Sequence, residues 1–335
     1  MKKFNPGLLA AGTLALASGM AALLVPCIAQ AQSEPIKPLP QEVKLDPKKV
    51  LLGAHLFGDV RLSKNNDVSC ISCHDFINAG GADPRQRSLG TGGAKGPINS
   101  PSVLNADLNI AHLWNGAAPT FENQITRVIK NPVVFNTTWT DVLAKFQKDD
   151  AIRAAFAAAY KEGMTEKSFA DAISTFERSL ITPSRFDKFL RGDEGAITAD
   201  EKKGYEKFKS YGCVACHQGM GVGGNMFQQF GVLGNYFKDR GKIEDADMGR
   251  FAVTGDVADR HVFKVPSLRN VEYTAPYFHD GTAKTLNDAV DVMFKYQLGR
   301  TAPTADKELI IKFLKSLSAD PAQLRRIEAM ARGGK

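Results

Sequence analysis

Two copies of one pentapeptide constrain this chain more than any other feature. Cys70-Ile71-Ser72-Cys73-His74 and Cys213-Val214-Ala215-Cys216-His217 are both Cys-x-x-Cys-His, the attachment signature of c-type haem. The spacing has a chemical reason. Two thiols a turn apart can each add to a haem vinyl group, and the adjoining histidine then lies under the iron and offers an axial nitrogen. The motifs use every cysteine beyond Cys27. They predict two covalently bound haem c groups, held by Cys70, Cys73, Cys213 and Cys216, with His74 and His217 as iron ligands. A chain that must enclose two such macrocycles wraps helices around each, because covalent haem supplies much of the apolar core.

Other readings of Cys-x-x-Cys fit less well. Zinc ribbons pair two such knuckles about 15–20 residues apart. Cys73 and Cys213 are far more distant in sequence, and zinc has no need of histidine at the same offset twice. Thioredoxin-like motifs sit in a βαβ context, whereas the flanks here are helical or Gly-rich.

Lys2 and Lys3 precede an apolar run from Leu8 to Ile28, and Ala29-Gln30-Ala31 is an A-x-A pattern. Residues 1–31 therefore read as a Sec-type signal peptide. The run is also near the length needed to span a bilayer, so an uncleaved N-terminal anchor is the other reading. Pro26 before Cys27 argues against a lipoprotein site. A periplasmic location fits the motifs, since bacterial c-type haem is attached outside the cytoplasm. No membrane span is expected after cleavage. Losing Lys2 and Lys3 lowers the formal charge from +7 to +5. Haem propionates offset most of this, and no basic stripe suggests nucleic acid.

Residues 32–45 are rich in Pro and Gln and read as a leader without core-forming pattern. From Pro47, Val50, Leu51, Ala54 and Phe57 recur at helical spacing. Asp141–Tyr160 and Glu166–Ile181 read as amphipathic helices. Thr198-x-x-Glu201 resembles a capping box that opens a second unit. Leu286–Tyr296 and Asp306–Leu317 are the last clear core helices, and residues 78–101 and 218–235 are Gly-rich loops. Strand signals are sparse, so the fold class is mainly α.

An internal repeat extends beyond the motifs. Pro101-Ser102-Val103-Leu104-Asn105 matches Pro266-Ser267-Leu268-Arg269-Asn270. At the same offset Trp114-Asn115-Gly116 falls on His279-Asp280-Gly281, Thr120 on Thr285 and Ile125 on Val290. The expected organisation is two cytochrome c-like haem domains, residues 46–185 and 198–320, after the signal peptide.

These segments resemble the bacterial di-haem cytochrome c peroxidase family, which also includes MauG-like enzymes. The resemblance covers roughly residues 46–318. It rests on Leu56-Phe57-x-x-x-Arg61-Leu62-Ser63, Lys95-Gly96-Pro97-x-Asn99 and Phe263-Lys264-Val265-Pro266-Ser267-Leu268-Arg269-Asn270. Pro276-Tyr277-Phe278-His279-Asp280-Gly281 and Gln297-Leu298-Gly299-Arg300 complete it. The resemblance implies that hydrogen peroxide is reduced at the N-terminal, His74-bound haem. The C-terminal haem would receive electrons from a small c-type cytochrome or cupredoxin. Met293 would be the distal ligand opposite His217. Thioether sulfur favours ferrous iron, which suits a high-potential centre, while periodicity alone would read Met293 as core packing. The resemblance places Trp114 between the haems and Gln124 over the open iron. It matches Asn99, Thr274 and Pro276 to a calcium site built from one amide oxygen and two backbone carbonyls, a donor set that suits calcium. His279 is expected to hold a loop by hydrogen bonding. Relatives often form homodimers.

Three departures surround the first motif. The loop Ser88-Leu89-Gly90-Thr91-Gly92-Gly93 lacks the histidine that caps the iron in many relatives, and Thr91 stands nearest its place. Repeat alignment sets Val128 against Met293, and valine has no lone pair for iron. Val128 and Val134 occupy the places of the family's proline and acid/base glutamate. A positioned acid/base typically contributes about 10²–10⁴-fold. Asn136 cannot carry a proton, Glu122 should face away from Gln124 on a helix, and His112 is either a packing histidine or a group near the haem edge. Three functions follow: a periplasmic peroxidase, a MauG-like oxidase, or a non-enzymatic electron carrier or gas or redox sensor. MauG-like members carry tyrosine at the place of Met293, which argues against the second. The apolar distal replacements favour the third.

Overall fold

The computed structural model describes residues 34–333. The expected signal peptide lies outside the described residues. Among them, no helix is long and apolar enough to cross a membrane. The described chain is mainly helical, with one two-stranded antiparallel ribbon, Phe227–Gln229 against Val262–Lys264, in the register Phe227 to Lys264.

Two helix pairs form the frame. Pro47–Phe57 packs on Glu166–Ser179, and Ala199–Ser210 packs on Thr304–Ser316. Each crossing is set by one glycine. A Cβ on Gly53 would lie 1.9 Å from the Ala172 carbonyl oxygen, and one on Gly204 would lie 2.0 Å from that of Leu309. Only hydrogen fits there, so the backbones approach closely. Aromatic pairs lock the same contacts. Phe57 meets Phe176 edge-on at 5.2 Å across the first, and Phe313 meets Tyr205 at 5.0 Å and Phe208 at 5.1 Å in tilted pairs across the second, contacts worth about 0.5–1.5 kcal/mol beyond area burial.

The apolar side chains form two large clusters. One gathers Phe57, Phe76, Phe146, Phe156, Phe169 and Phe176. The other gathers Phe186, Tyr205, Phe208, Phe313, Leu314 and Leu317. A smaller cluster of Tyr236, Phe237, Phe263 and Tyr296 carries Trp114 against its edge.

Two terminal segments depart from the sequence reading. The Pro-rich leader does contribute to a core: Ile36 is 1% exposed and Leu39 0%. Leu39 N–H donates to Asp187 Oδ1 at 2.7 Å, and Asp187 pairs with the fully buried Arg269 at 2.7 Å. Two apolar residues in a polar stretch have no periodicity to reveal them. Beyond the last expected helix, Pro321–Ala331 forms another, which returns Leu324, Ile327 and Ala331 to the first cluster.

Two helices also break where periodicity suggested continuity. The segment expected as one helix from Asp141 is two, Trp139–Phe146 and Asp150–Ala159. Asp149 Oδ1 accepts from the N–H groups of Ala151 and Ile152 at 3.1 Å each and caps the second. The helix from Leu286 stays α-helical only to Val292. Met293–Gln297 is a π-helical turn.

Candidate haem sites

Each Cys-x-x-Cys-His motif folds as a single 3-10 turn, Cys70–Ser72 and Cys213–Ala215. Cys73 N–H bonds to the Cys70 carbonyl at 3.1 Å and Cys216 N–H to that of Cys213 at 3.2 Å. A 3-10 turn eclipses residues three apart, so the two thiols of a motif share one side. All four thiols are free. The histidines that follow are held alike. His74 Nδ1 lies 2.9 Å from the Gly81 carbonyl oxygen and His217 Nδ1 lies 3.3 Å from that of Val222. A carbonyl only accepts, so Nδ1 carries the proton and Nε2 keeps its lone pair. That is the tautomer an iron ligand requires. Burial lowers the pKa of His74 and pushes that of His217 down to about 4, so both rings are neutral. Free thiol pairs beside a neutral imidazole with fixed tautomer fit haem c at both places.

The two segments that the resemblance sets over the haem sites differ. Phe121–Lys130 is a regular α-helix, capped by Thr120, whose hydroxyl accepts from Asn123 N–H. It carries Gln124 and Val128. Gln124 Oε1 is buried with no partner, a polar atom that only a further group could satisfy. Thr91 N–H donates to the Val134 carbonyl at 2.8 Å, and a Cβ on Gly90 would lie 2.2 Å from the Val133 carbonyl oxygen. The loop is thus clamped onto the segment bearing Val134. The Thr91 hydroxyl points elsewhere and donates to Asp67 at 2.7 Å. Val128 and Val134 both pack against the first core. Thr91, Val128 and Val134 thus belong to one tied wall, and none of the three side chains titrates. Met293 starts the π turn Met293–Gln297.

The remaining sequence candidates fall as follows. Glu122 turns to Arg178 at 2.7 Å, away from Gln124 as the helix argument required. His112 stacks on Phe121, with ring centres 4.1 Å apart. Burial and the Lys264 ammonium push its pKa down to about 4, so it packs as a neutral ring. A buried acid escaped notice altogether. Glu177 is 3% exposed, its Oε2 has no partner, and burial pushes its pKa up to about 8. It faces Cys70 closely enough to raise that thiol's pKa further. In sequence it sits among core residues of an amphipathic helix, where nothing marks its direction.

Trp114 packs against the cluster of Tyr236, Phe237, Phe263 and Tyr296. Its Nε1–H donates to the Asn99 carbonyl at 2.9 Å, and Asn99 N–H donates to the His279 carbonyl at 2.8 Å. This brings Asn99 to the segment that carries Thr274 and Pro276. The Asn99 amide nitrogen donates to the Arg85 carbonyl at 2.9 Å. His279 bonds Asp247 Oδ1 through Nε2 at 2.7 Å, the loop-holding role expected of it. Arg240 donates to Asp247 at 3.0 Å and to Asp280 at 2.5 Å. Its guanidinium neutralises this acidic cluster, which sequence reasoning missed because the partners are distant along the chain.

Comparisons with known proteins give the family and the fold. The family described as di-haem cytochrome c peroxidase matches residues 47–195. The chain is 44% identical over 289 residues to cytochrome c peroxidase Ccp of Escherichia coli, covering 86% of this chain but only 62% of that protein. It is 39% identical over 307 residues to cytochrome c551 peroxidase of Nitrosomonas europaea, covering 91% of this chain and 90% of that one. The solved structure of a MauG-like protein associated with microbial copper homeostasis superposes with a TM-score of 0.74 at 28% identity, covering 88% of this chain and 95% of that one.

Proposed function

The chain belongs to the di-haem cytochrome c peroxidase family, and from that premise we propose that it is a periplasmic enzyme reducing hydrogen peroxide to two waters. Two electrons and two protons balance the reaction, and a small c-type cytochrome or cupredoxin delivers the electrons. We further propose two cytochrome c-like domains, residues 46–185 and 198–320, related by the internal repeat. The paired glycine crossings at Gly53 and Gly204 support this.

Haem c at each motif would supply electron storage, and at the first also the redox centre for peroxide reduction. The residues do the rest. His74 and His217 would hold the irons through Nε2, with Met293 as the second protein ligand of the C-terminal haem. Gln124, whose buried Oε1 has no partner among the described residues, is the group proposed to orient peroxide at the first site. Trp114, fixed by the Asn99 carbonyl, stands between the halves as the electron-transfer group. Asn99 Oδ1 and the carbonyls of Thr274 and Pro276 are the proposed calcium ligands, tying the two halves together at Trp114. A homodimer is part of the same reading.

The observation that carries the proposal is the contrast of Met293 on a π turn with Val128 on a regular helix. A sensor or electron carrier is the second reading, favoured by the apolar wall of Val128 and Val134. Steady-state peroxide reduction by the holoprotein, with reduced cytochrome c and calcium, separates the two. Rapid turnover supports the enzyme, and its absence supports the sensor. Met293 speaks against a MauG-like oxidase.

A further inference from the structure

Lys264 ends the strand Val262–Lys264, opposite Phe227. It is 8% exposed, and among the described residues no acid is found to compensate its charge. Burial alone acts on its ammonium and pushes its pKa down to about 8. The other deeply buried cation, Arg269, has Asp187 at 2.7 Å. An uncompensated buried charge is costly, so a lysine kept at this place calls for an anion.

Its surroundings narrow the choice. The Lys264 backbone N–H donates to the Trp114 carbonyl at 2.9 Å. The ammonium lies near enough to His112 to depress that imidazole. Two residues on, the Pro266 carbonyl contacts His217, and a Cβ on Gly223 would lie 2.2 Å from the same oxygen. Lys264 therefore stands between the Trp114 segment and the loop that holds the second proximal histidine. An anion there must be delivered by a group already inside the fold. Each haem c brings two carboxylates on an otherwise apolar body.

We infer that Lys264 forms a buried ion pair with a haem propionate and so fixes the macrocycle edge beside Trp114. The inference rests on the haem reading of the two motifs. Lys264 is a positioning residue, coupling a haem edge to the backbone of Trp114 through its own N–H.

The test uses the holoprotein. Haem content is measured first. Fewer than two haems per chain in the unmodified protein would sink the haem reading and this inference with it. With two haems present, Lys264→Met should lower the potential of one haem, because a nearby cation favours the less positive ferrous state. A tenfold change in that oxidation equilibrium, about 59 mV for one electron, is expected. Lys264→Arg should restore most of it. Two unchanged potentials in a fully loaded Lys264→Met protein would overturn the inference. Should that variant fail to fold, a crystal structure of the unmodified holoprotein decides. Lys264 Nζ about 2.7–2.9 Å from a propionate oxygen is the expected result, and an ammonium facing solvent or a protein carboxylate is the contrary one.

Discussion

The helix Phe121–Lys130 and the segment Leu286–Gln297 start alike and finish differently. Thr120 caps the first by accepting from Asn123 N–H, and Thr285 caps the second by accepting from Asp288 N–H. At the same distance from its cap, the first carries Val128 in regular α-helix. The second carries Met293 as it opens into a π turn. The histidines below are held the same way, Nδ1 to a backbone carbonyl. On the proposed reading, one scaffold serves two tasks through the residue set opposite each imidazole. A π turn redirects a side chain at the cost of regular hydrogen bonding, and such turns concentrate at functional sites. A saturated centre can exchange electrons, and an unsaturated one leaves room for a substrate.

That contrast can be pushed from either side. The largest effect should come from restoring an acid to the first site. Val134→Glu should raise peroxide turnover by about 10²-fold or more, read from steady-state rates. An unchanged rate would mean that the missing carboxyl is not limiting. Removing the distinction from the other side, Met293→Ala should lower one haem potential by on the order of 0.1 V, within the ~0.8 V that axial ligands span. Potentiometric titration would show neither potential moving by this much if Met293 were only packing.

The matched helix crossings give a stability test. Gly53→Ala and Gly204→Ala each force a methyl onto a carbonyl, and each should cost about 1–3 kcal/mol. The melting temperature should fall in both variants by comparable amounts. A loss confined to one would show that the halves are not framed alike.

The smallest effect concerns a group with no counterpart in the second core. Burial holds Glu177 protonated up to about 8, above its ordinary value of 4.5. The folded protein keeps a proton that the unfolded chain releases between these values. Its contribution to stability is fully present below about 4.5 and is lost as pH rises toward about 8. Glu177→Gln should flatten the melting temperature across that window, and an unaltered slope would assign the pH dependence elsewhere.

The mainly helical class and the framing helices were legible because apolar spacing and Thr capping residues are local signals. The motifs were legible because covalent chemistry fixes their spacing. Tertiary effects were not. Nothing along the chain shows that Ile36 and Leu39 are anchored by the Asp187–Arg269 pair, or that the last helix returns to the first core. The π turn at Met293 is invisible to periodicity, since the apolar pattern runs straight through it. Glu177 and Lys264 escaped for the same reason. A charged residue within a helix or strand pattern reads as solvent-facing unless the packing around it is known.

The unequal occupation of the two centres is tested most directly by electron paramagnetic resonance of the fully ferric holoprotein. The account predicts one high-spin signal from the His74 centre beside one low-spin signal from the His217–Met293 centre. Two low-spin signals, with a second protein ligand on the His74 iron, would contradict it.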